Sequence, residues 1–303
     1  MSAVRSPIGL AVAAAASLTI MIWGGTPIVT KIAVAILDPL AVGMLRTGVA
    51  ALIAVPLILG LRLRPPATVA GWGLLVLSAL GGFVAFPLLF SLGLRGTSAA
   101  HGALILATLP VLTGAFAALI DRAPPSRRWW LGAGVALAGE VALVGFRQGL
   151  GGGEEAAVLG DLLVVASCVA AAAGYVAGGR LARDFGSWPT TLWGIAAGGI
   201  VLAPVYPWLI GGSDWARAGV AGVVAIGYLA LLSTILAYVA WYWALGRGGI
   251  ARVGTTQFAQ PLVSLALTVV LLGEPMTLPL GLAAVAIMAG VIVAGRVPVR
   301  ASD

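Results

Sequence analysis

The chain has 303 residues, of which 61% are hydrophobic and only 9% charged, and its mean hydropathy is +1.09. A soluble chain covers itself with about a quarter charged residues, so this composition excludes a water-soluble fold and makes lipid the solvent. The net charge of +7 does not indicate nucleic acid, because the basic residues stand singly or in pairs and build no dense basic face.

Ten apolar runs are long enough to cross a bilayer, at about 20 residues each. They cover residues 8–30, 39–61, 70–92, 98–120, 130–147, 160–180, 189–210, 218–245, 251–272 and 278–296. The first 25 residues have the make-up of a signal peptide, with Arg5 before an apolar core. A retained helix is expected instead, because the apolar run continues through Trp23 and past Pro27. Pro39, Pro65, Pro66, Pro124, Pro125, Pro189 and Pro275 fall in or beside the connections, where a missing N–H costs little. The longest connection, 148–159, is rich in glycine and carries Glu154 and Glu155. It joins a five-span unit over 1–147 to another over 160–303.

The two units share a spacing. Shifting by 151 positions carries Leu94 to Leu245, Pro110 to Pro261 and Pro124 to Pro275 without a gap, which suggests an internal duplication. An odd number of spans per unit inserts the second copy upside down. The expected fold is therefore all-α and polytopic, with ten transmembrane helices as two inverted five-helix repeats around a central cavity. Inverted repeats of this kind place a site near the midplane and supply two packings, open to either side.

Orientation follows from the basic residues. With the N-terminus cytoplasmic, the inner segments carry Arg5, Arg62, Arg64, Arg122, Arg127, Arg128, Arg180, Arg183, Arg247, Arg252, Arg296 and Arg300. The outer segments carry only Lys31, Arg95, Arg147 and Arg217. Both termini are expected inside.

Several residues resemble a known family. Trp23-Gly24-Gly25-Thr26-Pro27 with Lys31 opens the first unit, and Arg46 follows in span two. In the second unit Tyr238, Trp241, Tyr242, Ala244 and Leu245 precede Pro261, and Leu272-Gly273-Glu274-Pro275 closes span nine. Together these resemble EamA-type ten-helix members of the drug/metabolite transporter superfamily, and are similar to its aromatic amino-acid exporters. The resemblance implies gradient-driven export of metabolites across the bacterial inner (plasma) membrane.

Chemistry-bearing residues are few. His101 has no Ser or Cys partner at a catalytic spacing and no companions for a metal. No GxxxxGK[ST] loop is present. Cys168 is single and lies in an apolar run, which reads as packing. Neither an enzyme nor a cofactor or metal is expected.

Glu140 falls within span five, where a carboxylate costs about 2.5 kcal/mol or more on insertion scales. It is either a protonation site coupled to transport or a structural partner of Arg46 or of backbone groups. Arg46, about 10 Å below the end of its span at 1.5 Å per residue, either snorkels to the interface or receives a substrate carboxylate. Lys31 reads as an interfacial anchor or a mouth residue.

Tyr238 and Tyr242 are four apart and share a helix face, with Trp241 and Trp243 turned elsewhere, and Phe86 and Phe90 repeat that spacing. Trp129, Trp130, Trp188, Trp208 and Trp215 are assigned to the interfacial belt. Trp23, Phe86, Tyr175 and Tyr238 lie deeper, as cavity wall or as core. Gln257 and Gln260 cannot face lipid unsatisfied; they line the cavity or bond between helices. Gly174/Gly178 and Gly194/Gly198 have the spacing that lets helices approach closely.

The reading that fits is a secondary transporter exporting amino acids, aromatic ones included, or similar small metabolites by alternating access. A passive channel or facilitator is the alternative, and a membrane enzyme or scaffold the third. The partners expected are a small molecule and the bilayer.

Overall fold

The computed structural model describes residues 9–121, 126–149, 155–212, 215–248, 253 and 255–295. Among these every regular element is helical and none is a strand. Ten helical segments follow: α1 (Leu10–Ile36), α2 (Pro39–Gly60), α3 (Val69–Gly96), α4 (Ala99–Ile120), α5 (Arg127–Gly149), α6 (Glu155–Phe185), α7 (Ser187–Leu209), α8 (Ala218–Gly248), α9 (Gln260–Leu272) and α10 (Leu278–Gly295). They follow the expected runs to within a few residues at most ends. Seven are long and apolar enough to cross a membrane, and α9 and the described part of α10 are shorter apolar helices.

Local chemistry sets the ends. Asp38 accepts from the amides of Leu40 (2.9 Å) and Ala41 (3.3 Å), with Pro39 at the first helical position of α2. Thr68 caps α3 through the amide of Gly71, and Ser98 caps α4 through that of His101. Gly273 closes α9 at φ 64°, a left-handed conformation in which a Cβ would be strained. Large apolar side chains such as Leu52, Leu59, Val220 and Val270 are more than two-thirds exposed; on a soluble protein this would be an aggregation surface, and here it faces lipid.

The duplication appears in the backbone as well as in the spacing. A π-helical stretch, Ala79–Ala85, interrupts α3, and another, Tyr228–Leu236, interrupts α8. Shifting the first by 151 gives 230–236, inside the second. A 3-10 turn at Leu106–Thr108 lies within α4, and one at Thr255–Ala259 precedes α9; the same shift carries 106–108 to 257–259. Helix contacts exchange in the same way. α1 packs on α8 and α9 as α6 packs on α3 and α4, while α2 pairs with α7 and α5 with α10. The molecule is an all-α polytopic membrane protein of two inverted five-helix repeats.

Small residues set how close the halves come. A Cβ on Gly81 of α3 would lie 2.5 Å from the carbonyl oxygen of Ala170 on α6, and one on Gly174 would lie 2.6 Å from the amide nitrogen of Gly82. Gly194 and Gly198 of α7 give Phe83 its space in the same manner. Gly81→Val should therefore force α3 from α6 and cost about 1–3 kcal/mol or more. Gly73→Val, on the same helix with nothing within 4 Å of the new Cβ, should change little. Thermal unfolding in detergent compares the two, and equal midpoints would remove the close-crossing account.

Candidate functional site

Trp23 of α1 occupies the centre, 4% exposed. Its ring stacks on Tyr175 of α6 at 5.5 Å and 7°, meets Tyr238 of α8 edge-on at 5.2 Å, and lies 5.6 Å from Trp241. Its Nε1 donates to the carbonyl of Ser233 at 2.9 Å. The 151 shift explains how two large rings fit at the join. It pairs Trp23 with Gly174 and Gly24 with Tyr175, so each half supplies one ring and one glycine. Tyr238 in turn contacts Phe83 (4.6 Å) and Tyr242 (5.7 Å), and donates from its hydroxyl to the carbonyl of Gly82 at 3.3 Å.

Arg46 enters this cluster from α2 and is 3% exposed. Snorkelling is ruled out by that burial. Nε donates to Thr234 Oγ1 at 2.8 Å and Nη2 to Ser233 Oγ at 3.0 Å. Both acceptors belong to the π stretch of α8, where Thr234 Oγ1 donates in turn to the carbonyl of Leu229 at 2.7 Å. Thr26 Oγ1 lies 2.9 Å from Ser233 Oγ, and the guanidinium rests over the Phe86 ring at 5.6 Å. No carboxylate accepts from Arg46 among the described residues. A buried cation matched only by neutral groups keeps an unmet electrostatic demand.

Around Arg46 a small cavity is lined by Trp23, Thr26, Phe86, Leu106, Leu109, Tyr175, Ser233 and Gln260. Its free room amounts to about one water molecule. Trp23, Arg46, Phe86, Tyr175 and Gln260 thus line one space. Phe90 stacks behind Phe86 at 5.3 Å and is fully buried, so it backs the wall. Tyr238 and Tyr242 belong to the aromatic core behind the cavity, Tyr242 with its hydroxyl 3.4 Å from Ser78 Oγ. Gln257 is buried, its Nε2 has no hydrogen-bond partner among the described residues, and it lies outside the cavity lining. Trp241 is a correction: expected to turn elsewhere, it joins the cluster through Trp23 and is 2% exposed. The side chain of Glu140 lies outside the described residues, as does that of Trp215.

A second polar group gathers where α3 turns into α4. Lys31 Nζ donates to the carbonyls of Leu94 (2.8 Å) and Thr97 (2.6 Å), at the C-terminal end of α3. Glu274, after α9, accepts from the amides of Ala99 and Ala100 at 3.0 Å each, placing a carboxylate on the first turn of α4. Asp161 of α6 is fully buried; one oxygen accepts from Thr97 Oγ1 and the other faces His101 Nδ1 at 3.3 Å. Three distant segments are tied to one elbow.

Two stretches, residues 9–145 and 158–296, each match the model of the EamA-like transporter family. The chain belongs to that family. It is 32% identical over 255 residues, 84% of its length and 86% of the relative's, to the Bacillus subtilis (strain 168) protein named "Uncharacterized transporter YdeK". It is 27% identical to the "Probable amino-acid metabolite efflux pump" of Salmonella typhimurium, with 92% of both chains covered. It is 26% identical to the "Uncharacterized inner membrane transporter YedA" of Escherichia coli K12, over 85% of this chain and 81% of that one. A solved structure titled "Crystal structure of protein" shares the fold at a TM-score of 0.66 and 21% identity, covering 93% of this chain and 96% of that one.

For an EamA-type chain the elbow is the part that sequence reasoning missed. Lys31, Thr97, His101, Asp161 and Glu274 are scattered over 244 positions, from 31 to 274, and only the fold brings them together. The one available signal was Glu274 after a helix-closing glycine, a free carboxylate beside a helix end. Glu274→Ala should raise the hydrogen-exchange rates of the Ala99 and Ala100 amides by about tenfold, the equivalent of losing one cap. Unchanged rates at those two amides would mean that the carboxylate does not hold the turn.

Proposed function

We propose that this EamA-type transporter is a secondary carrier of the bacterial inner membrane, exporting amino acids or similar small metabolites by alternating access. The observation that carries this reading is the small cavity at Arg46, lined by side chains from both repeats (Trp23, Arg46 and Phe86 from one, Tyr175, Ser233 and Gln260 from the other). Rocking one repeat against the other would open such a cavity to either side in turn. The efflux role named for the Salmonella relative supports export, and the inner-membrane name of the Escherichia coli relative supports the location.

With both termini cytoplasmic, as the distribution of basic residues favours, the Lys31–Thr97–Asp161–Glu274 group lies at the outer end. The 151 shift gives it no counterpart at the other end, since Lys31 maps to Ala182 and Asp161 maps back to Leu10. Opening outward breaks several charge-assisted hydrogen bonds that opening inward leaves intact. The group then works as an outer latch, holding the exporter closed to the outside until cargo is bound.

A carrier and a channel differ in one measurable way. Proteoliposomes preloaded with unlabelled amino acid should show transient uphill uptake of the labelled form, saturating with concentration. Trp23→Ala, which opens the cavity wall and removes the ring between the repeats, should lower that counterflow by about tenfold or more, as loss of a buried aromatic contact does. Linear, non-saturating flux without counterflow is the channel's behaviour and would replace this reading.

A further inference from the structure

The cavity around Arg46 carries a charge imbalance that bears on what it accepts. Element by element, its neighbours are Trp23 and Thr26 of α1, Phe86 of α3, Leu106 and Leu109 of α4, Tyr175 of α6, Ser233 and Thr234 of α8, and Gln260 of α9. All of them are neutral. The acids nearest in role are engaged at the elbow, Asp161 by Thr97 and His101 and Glu274 by the amides of Ala99 and Ala100. Two of the guanidinium nitrogens hold hydroxyls, and Nη1 makes no hydrogen bond to the described residues. The site thus offers one positive charge and planar apolar walls. No described lining residue could take a cargo ammonium as its counter-ion.

We propose that the site selects its cargo by net charge, and that the preferred cargo is a monoanion, a carboxylate on an apolar, planar body. This rests on the carrier reading and narrows it. A carboxylate supplies the counter-ion that Arg46 lacks among the described residues, with geometry suited to a guanidinium, while Trp23, Phe86 and Tyr175 contact the body. A free amino acid brings the same carboxylate together with an ammonium only a few ångströms away. In a low-dielectric site that ammonium is repelled by Arg46 and loses its water without replacement. N-blocked amino acids, 2-oxo acids and aryl carboxylates escape this penalty.

Three probes with one phenyl body separate the cases: N-acetylphenylalanine (net charge −1), phenylalanine (zwitterion) and 2-phenylethylamine (+1). The full-length chain is reconstituted in liposomes, and each probe's half-saturating concentration is read from competition for exchange. The expected order is anion first, by about tenfold or more over the zwitterion, with the cation weakest. Phenylalanine matching or exceeding its N-acetyl form overturns the charge proposal and leaves the carrier reading standing. The absence of saturable exchange by any of the three overturns both. Arg46→Gln should bring the three probes to within about threefold of each other, while Arg46→Lys keeps their order; an unchanged order in a folded Arg46→Gln protein also overturns the proposal. The wild-type series decides the matter even where a variant fails to fold.

Discussion

Arg46 reaches from α2 in the first repeat to Ser233 and Thr234 of α8 in the second, and the centre of the molecule is arranged around that crossing. A cation held away from water needs a counter-charge or a dense set of acceptors. Here the acceptors are two adjacent hydroxyls, made available by the π-helical turn in which they lie. The π stretch also frees the Ser233 carbonyl for Trp23 Nε1, so the same irregularity positions both the charge and the central ring. Local departures from α geometry of this kind are frequent at functional sites.

The repeats are alike in backbone and unlike in side chains where Arg46 meets α8. Gly82 and Phe83 correspond by the 151 shift to Ser233 and Thr234. In the first repeat these positions offer carbonyls, which accept from Tyr238 (3.3 Å) and Thr47 (2.5 Å). In the second they offer hydroxyls to a guanidinium. The position matching Arg46 is Ala197 and the position matching Thr47 is Gly198, so the second copy has no cation to place. Symmetry is kept in the backbone and broken in the side chains around Arg46.

Much of this was legible in the chain, and the limits have physical causes. Span positions follow from apolar runs because lipid requires every backbone group to be satisfied within its own segment. The duplication showed itself through prolines, whose backbone demands leave few alternative sites. The deep aromatic residues could be chosen by depth, and Trp23 and Tyr175 did meet. Trp241 was misjudged because only the four-residue spacing of Tyr238 and Tyr242 was weighed; residues 237–248 are regular α-helix, in which a residue three positions from Tyr238 lies beside it as well. The elbow at Thr97 was invisible for a different reason. Its members bond mainly to backbone groups and to residues far along the chain, which no local spacing encodes.

The charge of the cargo bears on how export would be driven. A carrier that moves a neutral zwitterion gains nothing from an inside-negative membrane and must couple to another ion to move it uphill. A net anion is pushed outward by the potential itself, worth about 2.3 kcal/mol per elementary charge at 100 mV, or roughly a 50-fold gradient. On the monoanion proposal, a site whose arginine has no carboxylate partner among the described residues would need no second ion to export its cargo. Its empty form would carry the unbalanced charge, and its loaded form would be neutral inside the hydrocarbon. Loading would then remove the electrostatic cost of enclosing the site, which would give the carrier a physical reason to close around cargo.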